Sequence, residues 1–169
     1  MRIAILSDIH DHDVQLSIAL EMIDTQSIDQ MLLLGDIVSG SSLRQLLEHF
    51  KHPVHLVFGN NDGDVRALSN FSGLYPQLDI HGAFGEVEID HMRIAFFHMP
   101  QMAHPLARSG MYDVVCYGHT HISHSEIINN TLIINPGAIR PPLAEEHDSS
   151  YAIIDTTSPT TCEFIQIKR

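Results

Sequence analysis

Seven residues of metal-binding type fall at the ends of apolar runs: Asp8, His10, Asp36, Asn60, His98, His119 and His121. Imidazole suits transition metals, while carboxylate and amide oxygens suit harder ions. A mixed set therefore fits Mn²⁺, Zn²⁺, Ni²⁺ or Fe; Mn²⁺ is taken as the expected occupant, a choice the ligand types alone do not make. Two divalent ions about 3.5–4 Å apart clamp the attacking and leaving oxygens of an in-line displacement at phosphorus. Such a pair needs one carboxylate that reaches both ions. Asp8 and His10 stand two apart, as do His119 and His121. Residues two apart in an extended segment point the same way. Either pair alone is ordinary surface sequence, and Gly35-Asp36 or Gly59-Asn60-Asn61-Asp62 alone is an ordinary turn. The combined order carries the signal: D-x-H, G-D, G-N-x-D, a strand-end His, then G-H-x-H.

The elements that must position these residues are legible in the hydrophobic pattern. Residues 2–6, 31–34 and 54–58 are short apolar runs with the length of buried strands. Each gives way to a polar cluster that holds one or two of the seven residues. Helical spacing follows the first run through Leu16, Ala19, Leu20 and Ile23, with Asp13 as the expected N-cap. A second helix opens at Ser41 or Ser42 and stops before Pro53. A weaker third covers 64–71. Strand–helix units in series imply a parallel sheet, and open α/β sheets bind ligands beyond the carboxyl ends of their strands.

The second half reads as strands over 82–90 and 92–98, a short helix over 103–109 and a strand over 113–117. A hairpin follows around Asn129-Asn130, then an Asn-Pro-Gly turn and strands over 151–155 and 162–168. The expected architecture is a single α/β domain, residues 1–169: two packed sheets of mixed direction with helices on the outer faces.

Charge narrows the partners. Nine Lys and Arg against 21 Asp and Glu give a net charge of −12, the wrong sign for tracking an extended nucleic acid. A small phosphorylated substrate is compatible, because bound cations make a site locally positive. Cys116 and Cys162 have no partners at metal-ligand spacing and read as free thiols in a reducing compartment. No apolar run approaches the ~20 residues needed to span a bilayer. The start, MRIAILSDIH, lacks the long apolar region of a signal peptide. A cytoplasmic protein is expected, with no membrane partner; pairing of copies through a sheet edge or helix is left open.

The order Asp8-Ile9-His10, Gly35-Asp36, Gly59-Asn60-Asn61-Asp62, His98, Gly118-His119-Thr120-His121 resembles the calcineurin-like metallophosphoesterase superfamily. Within it, the chain is similar to the small phosphodiesterases of the YfcE type, and Asn135-Pro136-Gly137-Ala138 is similar to that family's N-P-G-S turn. The resemblance implies a four-layer αββα sandwich of two mixed β-sheets flanked by helices. It also implies that Asp8, His10 and His121 hold one metal, that Asn60, His98 and His119 hold another, and that Asp36 bridges them. The implied activity is hydrolysis of small phosphodiesters by a hydroxide shared between two divalent cations. The same ion pair would serve a phosphomonoesterase. Larger relatives act as nucleases, and a retromer subunit of this fold serves as a non-catalytic scaffold.

Three positions depart from the family pattern. Asn61 stands where many relatives carry His, Met99-Pro100 follows His98 in place of Gly-His, and Ala138 replaces the turn serine. An amide cannot donate a proton as an acid near neutral pH, so His12 and His104 become the candidates for protonating the leaving group. The expected catalytic residues are therefore Asp36, Asn60, His98 and His12. Arg140 reads as a phosphate-steering or an exposed side chain. Asp62 reads as a holder of its loop or of a ligand histidine. His49, His52, His55, His81, His91, His124 and His147 fall outside the motif order and read as surface residues or as supports behind the ligands.

Overall fold

The structure, a computed structural model, describes residues 1–141 and 148–168. The chain runs β1 (Arg2–Leu6), α1 (Asp13–Asp24), β2 (Gln30–Leu33), α2 (Gly40–His49), β3 (Val54–Leu56), α3 (Val65–Ser69) and β4 (Leu78–Ile80). It continues through β5 (Phe84–Ile89), β6 (Met92–Phe97), α4 (Ala103–Ser109), β7 (Val114–Cys116), β8 (Ser123–Ile128) and β9 (Thr131–Pro136). β10 (Ser150–Asp155) and β11 (Cys162–Gln166) complete it.

Side-chain alternation along β1 sets the layering. Ala4 and Leu6 join a core with Leu16, Leu20 and Ile23 of α1 and Leu43, Leu46 and Leu47 of α2. Ile3 and Ile5 face the other way, into a core shared with Ile94, Phe96, Val114, Cys116, Leu132 and Ile134. A third core places Ala103 and Ala107 of α4 against Ala95, Val115 and Ile133. Helices, sheet, sheet and helix therefore stack as four layers, as the family resemblance implies.

One sheet has six strands in the order β11-β10-β1-β2-β3-β4, and the other has five in the order β5-β6-β7-β9-β8. β1, β2, β3 and β4 are mutually parallel, while β10 runs antiparallel to β1. In the second sheet β6, β7 and β9 are parallel, and β5 and β8 antiparallel to their neighbours. Both sheets are mixed. Asn129 and Asn130 (φ 50° and 69°) close the β8–β9 hairpin in the left-handed conformation that a tight hairpin requires.

Three boundaries differ from the sequence reading. Asp13 is the first residue of α1 and not its N-cap; its carboxylate accepts a 2.7 Å hydrogen bond from Ser42 and so joins α1 to α2. α2 begins at Gly40 after Ser39, ahead of Ser41 and Ser42. β4 carries no sequence signal, because three residues show too little alternation to register, and its place at the sheet edge comes from parallel pairing with β3. No described helix is long and apolar enough to cross a membrane. Cys116 and Cys162 are free and lie in the inter-sheet core, where burial pushes the Cys116 thiol up.

Candidate metal centre

The carboxyl ends of five parallel strands, β1, β2, β3, β6 and β7, lead directly into the loops that carry the seven residues. Backbone hydrogen bonds fasten these loops to one another. Asp8 N–H donates to Gly35 O (3.1 Å), His10 N–H to Asp36 O (3.0 Å) and Gly118 N–H to His98 O (3.0 Å). His98 crosses between the sheets, with Nδ1 2.7 Å from Leu34 O. A carbonyl oxygen only accepts, so Nδ1 holds the proton and Nε2 is left with a lone pair.

Six of the seven residues meet. His121 Nε2 lies 3.0 Å and His10 Nε2 3.6 Å from Asp8 Oδ1. His10 Nε2 and His98 Nε2 each lie 3.5 Å from the same oxygen, Asp36 Oδ2. The His10 and His121 rings meet edge-on at 5.2 Å, as do those of His98 and His119. Two histidine pairs thus flank the two aspartates. Asn60 is exposed on the neighbouring loop. Asn61 makes the contact there: its backbone N–H donates to Asp36 Oδ1 and its amide to Asp36 Oδ2, both at 2.7 Å.

Local backbone geometry differs from the extended D-x-H and H-x-H segments expected from the sequence. Asp8 (φ 55°), His10 (49°), Asp36 (54°), His119 (69°) and His121 (60°) all adopt left-handed conformations. Each such residue costs about 1–2 kcal/mol, so the surrounding structure must enforce the turns. Asp62 is one enforcer. Its carboxylate accepts from the N–H groups of Asp36, Ile37, Val38 and Gly59 at 2.6–3.1 Å. That holds even Val38, a β-branched residue at φ 79°.

Asn135, read from the sequence as a turn residue, is fully buried and clamps the other loop. Its amide donates to Gly118 O (2.8 Å) and Thr120 Oγ1 (2.9 Å) while its carbonyl accepts from Gly137 N–H (3.0 Å). Ser7 adds a 2.6 Å hydrogen bond to Asp8 Oδ2. Sequence reasoning passed over Ser7 and Asn135 as supports; their adjacency to the D-x-H pair and to the N-P-G turn was the available signal.

The electrostatics favour charged carboxylates. Burial alone would lift the Asp8 carboxyl, but the nearby His10 ring and the hydrogen bonds from His121 and Ser7 outweigh it and hold the group well below the usual carboxylate range. Burial also opposes ionisation of Asp36, and the neighbouring His98 ring together with two hydrogen bonds from Asn61 outweighs it, lowering the group. For His98, burial pulls down, yet Asp36, Asp8 and the Leu34 carbonyl raise it. His10 Nε2 and His98 Nε2 are buried without hydrogen-bond partners. An orphaned buried polar atom costs about 1–3 kcal/mol. Two such nitrogens aimed at one carboxylate oxygen fit a divalent cation on each.

Other expected residues fall elsewhere. His12 is exposed at the start of α1, on the loop that carries His10. His104, the second acid candidate, is exposed on α4 with Nε2 2.6 Å from Glu126 of β8, so its ring is engaged by that carboxylate. Arg140 is buried rather than exposed, and its guanidinium donates to His121 Nδ1 at 2.5–3.1 Å. His55 and His81 are half-buried and paired, not surface residues. His147 lies outside the described residues.

The geometry meets its relatives at this point. Residues 1–159 match the family model for the calcineurin-like phosphoesterase superfamily domain, and the chain belongs to that superfamily. The phosphodiesterase MJ0936 of Methanocaldococcus jannaschii is 33% identical over 139 residues, covering 81% of this chain and 83% of the relative. A solved archaeal phosphodiesterase superposes with a TM-score of 0.89 at 29% identity, over 98% of this chain and 99% of its own. YfcE, a phosphoesterase from E. coli, shares the fold at a TM-score of 0.72 and 20% identity, over 99% of this chain and 100% of its own. The sequence reading as a calcineurin-like phosphoesterase with a four-layer sandwich therefore stands.

Proposed function

We propose that this chain is a metal-dependent phosphodiesterase acting on small phosphodiesters at a centre for two divalent cations. The observation that carries the reading is the position of Asp36 Oδ2, 3.5 Å from each of two buried, unpartnered imidazole nitrogens, His10 Nε2 and His98 Nε2. One carboxylate between two such donors suits a bridging ligand. Asp8, His10 and His121 would complete one shell, and Asn60, His98 and His119 the other, with Mn²⁺ as the expected metal. When bound, such cations lower the pKa of water and offset charge on phosphoryl oxygens.

The protein's own groups do the remaining work. Asp62 and Asn61 fix the direction of the Asp36 carboxylate through the loop and by direct bonds. Arg140 donates to His121 Nδ1, which places the ring proton on Nε2. Were His121 to ligate through Nε2, its ring proton would sit on Nδ1, which could then no longer accept from Arg140. Arg140, buried beside His121, is the side chain proposed to steer a phosphate oxygen, one of the two readings its sequence position offers. His12, exposed beside the His10 loop, is the group proposed to protonate the leaving oxygen. Asn61 cannot take that role.

Hydrolysis of bis-p-nitrophenyl phosphate by the metal-stripped chain, with and without added Mn²⁺, tests the reading. Turnover that needs Mn²⁺ and disappears with chelator is the expected result. Faster turnover of p-nitrophenyl phosphate would move the assignment to a monoesterase. Inertness toward both esters in Mn²⁺-loaded protein would leave a non-catalytic scaffold.

A further inference from the structure

Away from this centre, three potential ligands converge where the sandwich opens between its edge strands. His55 lies on β3 and faces Asp79 across the parallel pairing with β4, and His81 immediately follows β4. His55 Nδ1 is 3.2 Å from His81 Nε2, His81 Nε2 is 3.2 Å from Asp79 Oδ2, and His55 Nδ1 is 3.9 Å from Asp79 Oδ2. Around a tetrahedral cation with bonds of about 2.0–2.1 Å, neighbouring ligand atoms sit about 3.3 Å apart. Two of the three edges already match, and the third must close by about 0.6 Å to reach that ideal, which Asp79 can supply because its side chain is 67% exposed.

The surroundings favour ligation over simple contact. His55 Nε2 lies 3.1 Å from Gln30 Oε1. An amide oxygen only accepts, so the His55 proton sits on Nε2 and the Nδ1 lone pair faces the trio. A ligating histidine anchored through its other N–H to an oxygen is the usual supporting arrangement. Burial, reinforced by the neighbouring His81 and opposed by Asp79, holds His55 below the ordinary histidine range, in the neutral form that binds metals. Phe96 backs both rings, 5.0 Å from His81 and 6.4 Å from His55. That ring is itself fixed, because it covers Gly85 so closely that a Cβ there would lie 2.2 Å from it.

We infer that His55 Nδ1, Asp79 Oδ2 and His81 Nε2 form a separate mononuclear site for a zinc-class divalent cation. Water from the open side completes four ligands. The bound ion fastens the three-residue edge strand β4 to β3, an edge otherwise held by few ladder bonds. Two neutral nitrogens with one carboxylate give a borderline donor set that favours Zn²⁺ over Mg²⁺ or Ca²⁺.

The test is a difference in metal content among full-length proteins. Wild type, His81→Ala and Asp79→Asn are stripped with chelator, dialysed to equilibrium against micromolar free Zn²⁺, and assayed by mass spectrometry of the metal. Both variants are expected to hold one equivalent of Zn²⁺ fewer than wild type, while Mn²⁺-dependent diester hydrolysis is unchanged. With Co²⁺ as probe, wild type should show an additional visible absorption that both variants lack. Asp79 is largely exposed, so Asp79→Asn keeps the test meaningful if His81→Ala fails to fold. Equal Zn²⁺ content in wild type and Asp79→Asn overturns the site and leaves a hydrogen-bonded chain from Gln30 through His55 and His81 to Asp79. Loss of hydrolysis in all three proteins would count against the phosphodiesterase reading without altering this difference.

Discussion

Asp36 concentrates the chemistry at the scale of single residues. It faces two unpartnered imidazole nitrogens and takes two hydrogen bonds from Asn61. Asp36→Asn removes the negative charge that a shared ligand needs. We expect a loss of at least about 10³-fold in kcat, some 4 kcal/mol of transition-state stabilisation, together with lower metal content. Full activity with two bound metals would overturn the bridging role proposed for Asp36. Asp8 makes a different prediction, read in protein without cations. Its folded pKa is depressed, so its bonds stabilise the fold above the ordinary carboxylate value of 3.8, and that contribution fades as pH falls through the folded value. Ser7→Ala deletes one of those bonds and should move the acid-unfolding midpoint upward. Circular dichroism across an acid titration measures it, and an unshifted midpoint would mean that Ser7 contributes nothing to the charged form.

The loops that follow the strands carry the prediction at the scale of elements. Asp62 ties the loop after β2 to the loop after β3 through four N–H groups. Bonds to a charged acceptor are worth about 1.5–3 kcal/mol each, reduced here because Asp62 is half-buried. Asp62→Ala should therefore cost about 3 kcal/mol, visible as a lower urea midpoint at unchanged slope. Close approach of the same two loops explains Gly59. A Cβ there would lie 2.2 Å from Asp36 Oδ1 and 2.6 Å from Asp36 N, whereas one at Gly73 would meet nothing within 4 Å. Gly59→Ala should cut turnover by more than about 10²-fold, since a displacement near 1 Å suffices for that loss. Gly73→Ala serves as the silent control. Comparable kinetics for the two variants would show that the loop yields without moving Asp36.

For the whole molecule, bound cations act on stability as well as chemistry. On the proposed reading, two orphaned nitrogens at about 1–3 kcal/mol each would become ligands, and a domain of this size shifts about 2–4 °C per kcal/mol. Chelation should lower Tm by roughly 4–24 °C, and Mn²⁺ should restore it in a concentration-dependent way. Calorimetry with and without chelator reads this out; coincident transitions would mean that the centre contributes no cation-linked stability. Net charge works at the same scale. The chain carries −12 overall, so on the proposed reading bound cations would supply the local positive charge for a phosphate ester.

The sequence by itself determined the layers and the sheet edge used. Apolar runs alternating with helical spacing dictate strand–crossover units, and polar clusters after those runs can sit nowhere but at carboxyl ends. The order of the metal-binding types identified the family before any coordinates. Tertiary structure decided the rest, because hydrogen bonds between distant loops override local preference. Left-handed turns at Asp8, His10, Asp36, His119 and His121 are set by contacts such as Asp8 N–H to Gly35 O and His10 N–H to Asp36 O, which no local pattern encodes. The sequence leaves Arg140 open between a phosphate-steering and an exposed side chain, and packing buries it against His121. β4 and the His55–Asp79–His81 trio exist only through strand pairing. A three-residue strand has too little period to be read, and side chains 24 residues apart meet because the parallel register brings them side by side.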